Sequence, residues 1–175
     1  WSSDVCSSDL HSKKPLNQIR SMALDEGSKT SIALMRVIFE ENNWKLDETT
    51  PFPMDGNPHD IHSDAVLLIG DRAMADYLPG FPFKMDLGEE WKRLTGLPFV
   101  FAVWVSNRTI PQEIIESMNE ALNQGLNALE KISMIEAQKN KVSQEEIFDY
   151  YSNKLRFSMS HSFENAMEFF VRGDI

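Results

Sequence analysis

The stretch covering residues 64–104 constrains the fold more than any other part of the chain. It holds two apolar runs, VLLI at 66–69 and PFVFAVW at 98–104. The first run does not alternate with polar residues, which is the pattern of a strand covered on both faces. Gly70-Asp71 stops that run, and a short helical segment is predicted over residues 72–76. A loop between a buried parallel strand and a helix is a usual ligand position in an open α/β sheet. Further on, Thr95-Gly96 turns the chain, and residues 97–105 are predicted to form a second buried, aromatic-rich strand.

A second constellation lies upstream. Residues 21–25 (SMALD) form a short strand candidate, followed by the small and hydroxyl residues Gly27, Ser28, Thr30 and Ser31 around Lys29. A helix is predicted over residues 30–42, because Ile32, Met35 and Phe39 share one face and Leu34 and Ile38 an adjoining stripe. Ser28 or Thr30 is a natural N-cap. The free N–H groups of the first turn, with the Ser28, Thr30 and Ser31 hydroxyls, form a candidate anion site. The dipole alone contributes only about 0.3–1 kcal/mol, so side chains and shape must supply most of the affinity. Simple capping explains the same pattern without a ligand.

Composition narrows the partners. The chain has 175 residues, 42% apolar and 25% charged, enough for one domain or two small lobes. A net charge of -10 argues against a nucleic-acid backbone or an anionic membrane as the main partner. No apolar run reaches the ~18 residues of a membrane span. Cys6 is the one cysteine, so no intrachain disulfide can form, which suits a reducing, cytoplasmic setting.

The remaining segments read mostly as scaffold. Residues 1–10, WSSDVCSSDL, carry a quasi-repeat of SSD, lack the basic start and apolar core of a secretory signal, and are expected to be a non-native artefact outside the fold. Residues 10–20 read as a connector. Residues 44–52 give an edge strand, and Pro51, Pro53, Gly56 and Pro58 break regular structure after it. His59, Asp60, His62 and Asp64 invite a metal reading, but their spacing fits neither a helical H-E-x-x-H site nor a Cys/His zinc site. Residues 77–83, rich in proline and aromatics, are expected to lie over a surface. Glu89 and Glu90 are adjacent in a short helix and do not face each other, so a solvated pair is expected rather than acid–base work. Trp91 and Trp104 read as core or as the lining of an aromatic pocket. A long helix is predicted from Pro111, capped by Thr109, with one buried stripe through Ile115, Met118, Leu122, Leu129 and Ile132. Ser143 and Glu146 spell a capping box. A short strand over residues 155–159 and a last helix over 162–170, burying Phe163, Met167 and Phe170, complete the prediction.

The motifs ALDEGSKTSIALMRVIF, IGDRAM and DLGEEWKRLTGLPFVFAVW resemble the chorismate dehydratases of the futalosine route to menaquinone, from about Ser12 to the end of the chain. The resemblance implies an α/β, two-lobed fold of the type 2 periplasmic-binding-protein kind. One lobe is expected over residues 11–96, with residues 97–175 supplying a crossing strand and part of the other. It implies dehydration of chorismate, a small dicarboxylate, to 3-[(1-carboxyvinyl)oxy]benzoate, with no metal or organic cofactor, no nucleic-acid partner and no membrane. Substrate binding is then expected at Ser28, Thr30, Ser31, Gly70 and Asp71, with Thr95 as a further candidate. Family members begin with a strand carrying an S-Y-L-N motif whose asparagine is catalytic. Nothing here matches it, so the chain is expected to be an N-terminally truncated, inactive fragment with no assignable catalytic residue. The sibling naphthoate-forming enzyme of the same pathway, and a solute-binding protein of the same fold, remain alternatives.

Overall fold

The computed structural model describes residues 8–73, 78–140 and 142–173, without the side chains of Asp71, Asn140 and Lys154. The chain divides into two compact units, residues 1–102 with 161–175, and residues 103–160.

The first unit is built on a mixed sheet of five strands. They are β1 (Ser8–Ser12), β2 (Ser21–Asp25), β3 (Glu48–Phe52), β4 (Ala65–Ile69) and β5 (Phe83–Asp86), in the spatial order β3-β2-β4-β1-β5. β2 runs parallel to both β3 and β4, pairing Ala23 with Thr50 and with Val66. β1 runs antiparallel to β4 and β5, pairing Leu10 with Leu67 and with Met85. Strand alternation sorts the apolar side chains onto two faces. Leu10, Met22, Leu24, Leu67 and Met85 point to one core, where α1 (Lys29–Glu41), α2 (Leu87–Thr95) and α6 (His161–Arg172) cover them. Ala23, Val66 and Leu68 point to a second, smaller core closed by Phe52, Ala73, Leu78 and Phe81. The uninterrupted VLLI run thus has the cause predicted for it: β4 is buried on both faces.

Trp91 anchors the larger core. It is fully buried, its Nε1–H donates to the Pro98 carbonyl at 3.2 Å, and Phe99, Phe169 and Phe170 meet its ring edge-on at 5.4, 6.1 and 5.4 Å. Such aromatic pairs stabilise by roughly 0.5–1.5 kcal/mol beyond their buried area.

Several expectations need correction. Residues 97–105 form no strand. Pro98 has no N–H to give a ladder, and Phe99 and Phe101 meet edge-to-face at 4.8 Å within the aromatic group instead. Trp104 is 80% exposed and fills neither core nor pocket. The supposed connector after residue 10 is β1, and Ser8, Asp9 and Leu10, set aside as foreign to the fold, are its first residues, with Leu10 fully buried. Its polar sequence, SDLHS, hid the strand; Lys84 pairs with the Asp9 carboxylate at 3.1 Å and offsets one part of that burial. β5 also went unpredicted, because FKMD is short and lies beside a proline-rich loop. The helical segment after Gly70 is a single tight turn, Gly70–Arg72, and residues 74–76 lie outside the described residues.

The second unit is helical, with α3 (Gln112–Asn127), α4 (Leu129–Asn140) and α5 (Gln144–Asp149). The predicted long helix is interrupted at Ala128, Thr109 does not cap it, and Pro111 occupies the N-cap without a side-chain bond. Its apolar stripe is not buried: no residue of α3 is, and Ile115 and Met118 are each 39% exposed. The capping box is formed as predicted, Ser143 Oγ accepting from the Glu146 N–H at 3.2 Å and the Glu146 carboxylate from the Ser143 N–H at 3.0 Å. A wide helical turn, Tyr150–Lys154, follows it, and residues 155–159 are irregular rather than a strand. No helix among the described residues is long and apolar enough to cross a membrane.

Candidate functional site

The sheet topology brings several chain segments to one edge. β2, β3 and β4 are parallel, so their C-terminal ends, Asp25, Phe52 and Ile69, lie together. β1 is antiparallel, and its first residue, Ser8, sits opposite Ile69. The last residue of β5, Asp86, pairs with Asp9 beside it. Both α1 and α2 therefore begin at this edge.

Ser28 is the N-cap of α1, with extended backbone (φ -141, ψ 104), and its Oγ accepts from the Ser31 N–H at 3.1 Å. Three hydroxyls form a chain there: Ser28 Oγ to Ser31 Oγ at 2.8 Å, and Ser31 Oγ to Ser8 Oγ at 2.7 Å. Ser31 has one hydroxyl proton and lies between the two. If it donates to Ser28, Ser8 donates to Ser31, and the Ser28 O–H is released toward a ligand. Ser31 itself is buried, so its hydroxyl is not presented to solvent. Thr30 is half-buried, and its hydroxyl makes no side-chain hydrogen bond among the described residues. The first intrahelical bond of α1 is donated by Ile32 to the Ser28 carbonyl at 3.3 Å. The Lys29 and Thr30 N–H groups precede it and have no acceptor inside the helix.

The Gly70 turn stands beside this loop. A Cβ at Gly27 would lie 2.8 Å from Ile69 Cδ1, the tip of the side chain before Gly70, so the two segments are in direct contact there. Gly70 takes a left-handed conformation (φ 62), which suits glycine. Of the predicted residues, Ser28, Thr30, Ser31 and Gly70 are thus brought to one edge. Asp71 lies in the same turn, with its side chain outside the described residues. Thr95 is placed differently. It ends α2, which starts at this edge and runs about 13 Å away from it, and its hydroxyl donates to the Trp91 carbonyl at 2.9 Å and accepts from the Leu97 N–H at 3.1 Å.

Sequence reasoning missed an ion pair. Arg72 Nη2 donates to the fully buried Asp25 carboxylate, while Nη1 reaches the Pro53 and Gly56 carbonyls at 3.4 and 3.3 Å. Asp25 also accepts from the Gly27 N–H at 2.9 Å. No periodicity or motif links residues so far apart in sequence, so only the parallel pairing of β2 and β4 could have announced it.

The His59–Asp64 segment lies elsewhere. With β2 and β3 it lines a groove of about 370 Å³ that includes Glu48, Thr50, Asp60 and His62. Two carboxylates make that groove a poor host for an anion. No cluster of His, Cys, Asp and Glu suited to a metal occurs among the described residues. Asp64 itself is structural: Lys14, at 2.7 Å, and the backbone N–H groups of Arg20 and Ser21 hold its carboxyl below the usual range.

The arrangement defines an α/β protein with a hydroxyl-rich, anion-compatible loop at the C-terminal ends of parallel strands. The chain belongs to the menaquinone-biosynthesis family, whose model matches residues 2–173. Among curated proteins it is similar to the chorismate dehydratase of Thermus thermophilus, with 29% identity over 162 residues, covering 77% of this chain and 56% of the relative. The chain thus spans little more than half the length of that relative.

Proposed function

We propose that this chain is part of a chorismate dehydratase, a lyase converting chorismate to 3-[(1-carboxyvinyl)oxy]benzoate and water. What carries the reading is the meeting of the Ser28 loop with the Gly70 turn at one sheet edge, in a chain whose relative in Thermus is named for that reaction. One substrate carboxylate is received by the Ser28 and Thr30 hydroxyls and the first-turn N–H groups of α1. The backbone of Gly70 and Asp71 bounds the other side. Ser31 positions Ser28. The reaction removes a ring hydroxyl and a ring proton, and aromatisation drives it, so the protein's task is chiefly to fix the dicarboxylate with leaving group and proton aligned. The same reading takes the two-lobed periplasmic-binding-protein-like architecture as the frame of the whole protein, working in the cytoplasm. The first unit, with Ser28 and Gly70, supplies one wall of its cleft.

The experiment is turnover. The protein encoded by the complete reading frame containing this chain is incubated with chorismate, and the enolpyruvyl-benzoate is followed by mass spectrometry. Product without added cofactor supports the reading. A folded protein that leaves chorismate intact rejects it and turns attention to the sibling naphthoate-forming reaction.

A further inference from the structure

We propose that Arg72 is a positioning residue that clamps the ends of β2, β3 and β4 and so holds the substrate loop in shape. The inference rests on the proposed binding reading only for its second test. Its basis is geometric. One guanidinium reaches the Asp25 carboxylate at the end of β2 and the Pro53 and Gly56 carbonyls after β3, while its own backbone continues β4. It also lies over the Phe52 ring, 5.4 Å from the centroid, which fixes its plane.

Charge excludes the simpler role. A cation at a carboxylate site suggests direct substrate binding, but this one is already paired with a buried acid. Its hydrogen bonds from Nη1 and Nη2 run to the Asp25 carboxylate and the Pro53 and Gly56 carbonyls, groups of the protein itself. Asp25, with Arg72 on one oxygen, accepts from the Gly27 N–H with the other. Gly27 is the residue before the cap Ser28, so the chain of contacts runs from Arg72 through Asp25 and Gly27 to the cap. A second chain runs to Gly56, whose N–H donates to the Pro53 carbonyl at 2.9 Å. Arginine is suited to this because its planar fork serves several acceptors at once, whereas a lysine is a single point charge.

The test is amide hydrogen exchange on the 175-residue chain and its Arg72→Met and Arg72→Lys variants. Arg72→Met is expected to raise exchange at Gly27 and Gly56 by about tenfold or more, while β2 and β4 amides keep their protection. Arg72→Lys, which keeps a cation for Asp25, is expected to restore Gly27 but not Gly56. Unchanged exchange at both glycines in Arg72→Met would overturn the proposal. If Arg72→Met does not fold, Arg72→Lys decides alone: loss of protection at Gly56 supports the clamp, and full protection there overturns it. The second test is chorismate affinity, measured on the protein encoded by the complete reading frame. It is expected to fall about tenfold in Arg72→Met and to recover in part in Arg72→Lys, a shift of about 1.4 kcal/mol. Absence of chorismate binding by that unaltered protein would count against the functional reading and leave the exchange result standing.

Discussion

Ser28 is the N-cap of α1 and, in the proposed binding mode, also a ligand donor, two roles that separate by measurement. As an N-cap, its replacement in Ser28→Ala should lower stability by about 1 kcal/mol, seen as a reduced urea midpoint with an unchanged slope. As a ligand donor, its loss should also weaken chorismate binding. Thr30→Ala should weaken binding with little change in stability, because its hydroxyl bonds no side chain among the described residues. His11 couples stability to pH. It is buried in β1, its Nε2 has no hydrogen-bond partner among the described residues, and burial, then the charge of Lys84, push it down to about 4. Between that value and its ordinary 6.5 the unfolded chain binds a proton that the folded chain refuses. Stability is therefore complete above the ordinary value and is lost as pH falls toward 4, by about 2 kcal/mol between pH 7.5 and pH 5. Urea titrations at those two pH values should show the loss in the natural chain and a much smaller one in His11→Leu; equal losses would remove His11 as the cause. The hydroxyl loop was legible in sequence because capping has a local signature. The inward turn of Ser31 was not, because it depends on Ser8, brought in by the distant strand β1.

Among elements, α1 and α6 were readable from helical spacing, and β2, β3 and β4 as short runs bounded by turns, β4 most clearly by its unbroken apolar sequence; in α6, Phe163, Met167 and Phe170 are only partly buried and Ala166 is the buried residue. The aromatic run at 97–105 forms no strand because apolar content alone does not specify one. Its Phe99 and Phe101 are instead the lid over Trp91, with Phe169 and Phe170 of α6 completing the group. Trp91→Ala should accordingly cost about 3–5 kcal/mol, measured by thermal or urea unfolding. Cost under 1 kcal/mol would mean the aromatic group does not close the core. Gly96 ends α2 in a left-handed conformation (φ 72), and its N–H donates to the Lys92 carbonyl at 2.8 Å. Gly96→Ala meets open space at its side chain, so any loss, about 1 kcal/mol, comes from the backbone alone.

For the whole molecule, the α/β class was legible, while the sheet order was not, since SDLHS gives no strand signal. The predicted stripe on α3 shows why pattern and burial can part: amphipathic spacing says only that a face is suited to cover. In the first unit the core has a sheet covered on both faces, whereas α3 has no buried residue. Amide exchange should therefore be fastest in α3 among the longer elements and slowest in β2 and β4. Comparable protection in α3 and β4 would contradict that ordering.

In the proposed binding mode the edge holding Ser28, Thr30 and Gly70 receives a chorismate carboxylate. The test is calorimetric titration of chorismate into the protein encoded by the complete reading frame containing this chain, and into its Thr30→Ala variant. Saturable binding should weaken about tenfold in the variant, while both proteins unfold at the same denaturant concentration. Equal affinity in the two, or no binding by the folded unaltered protein, would overturn the assignment.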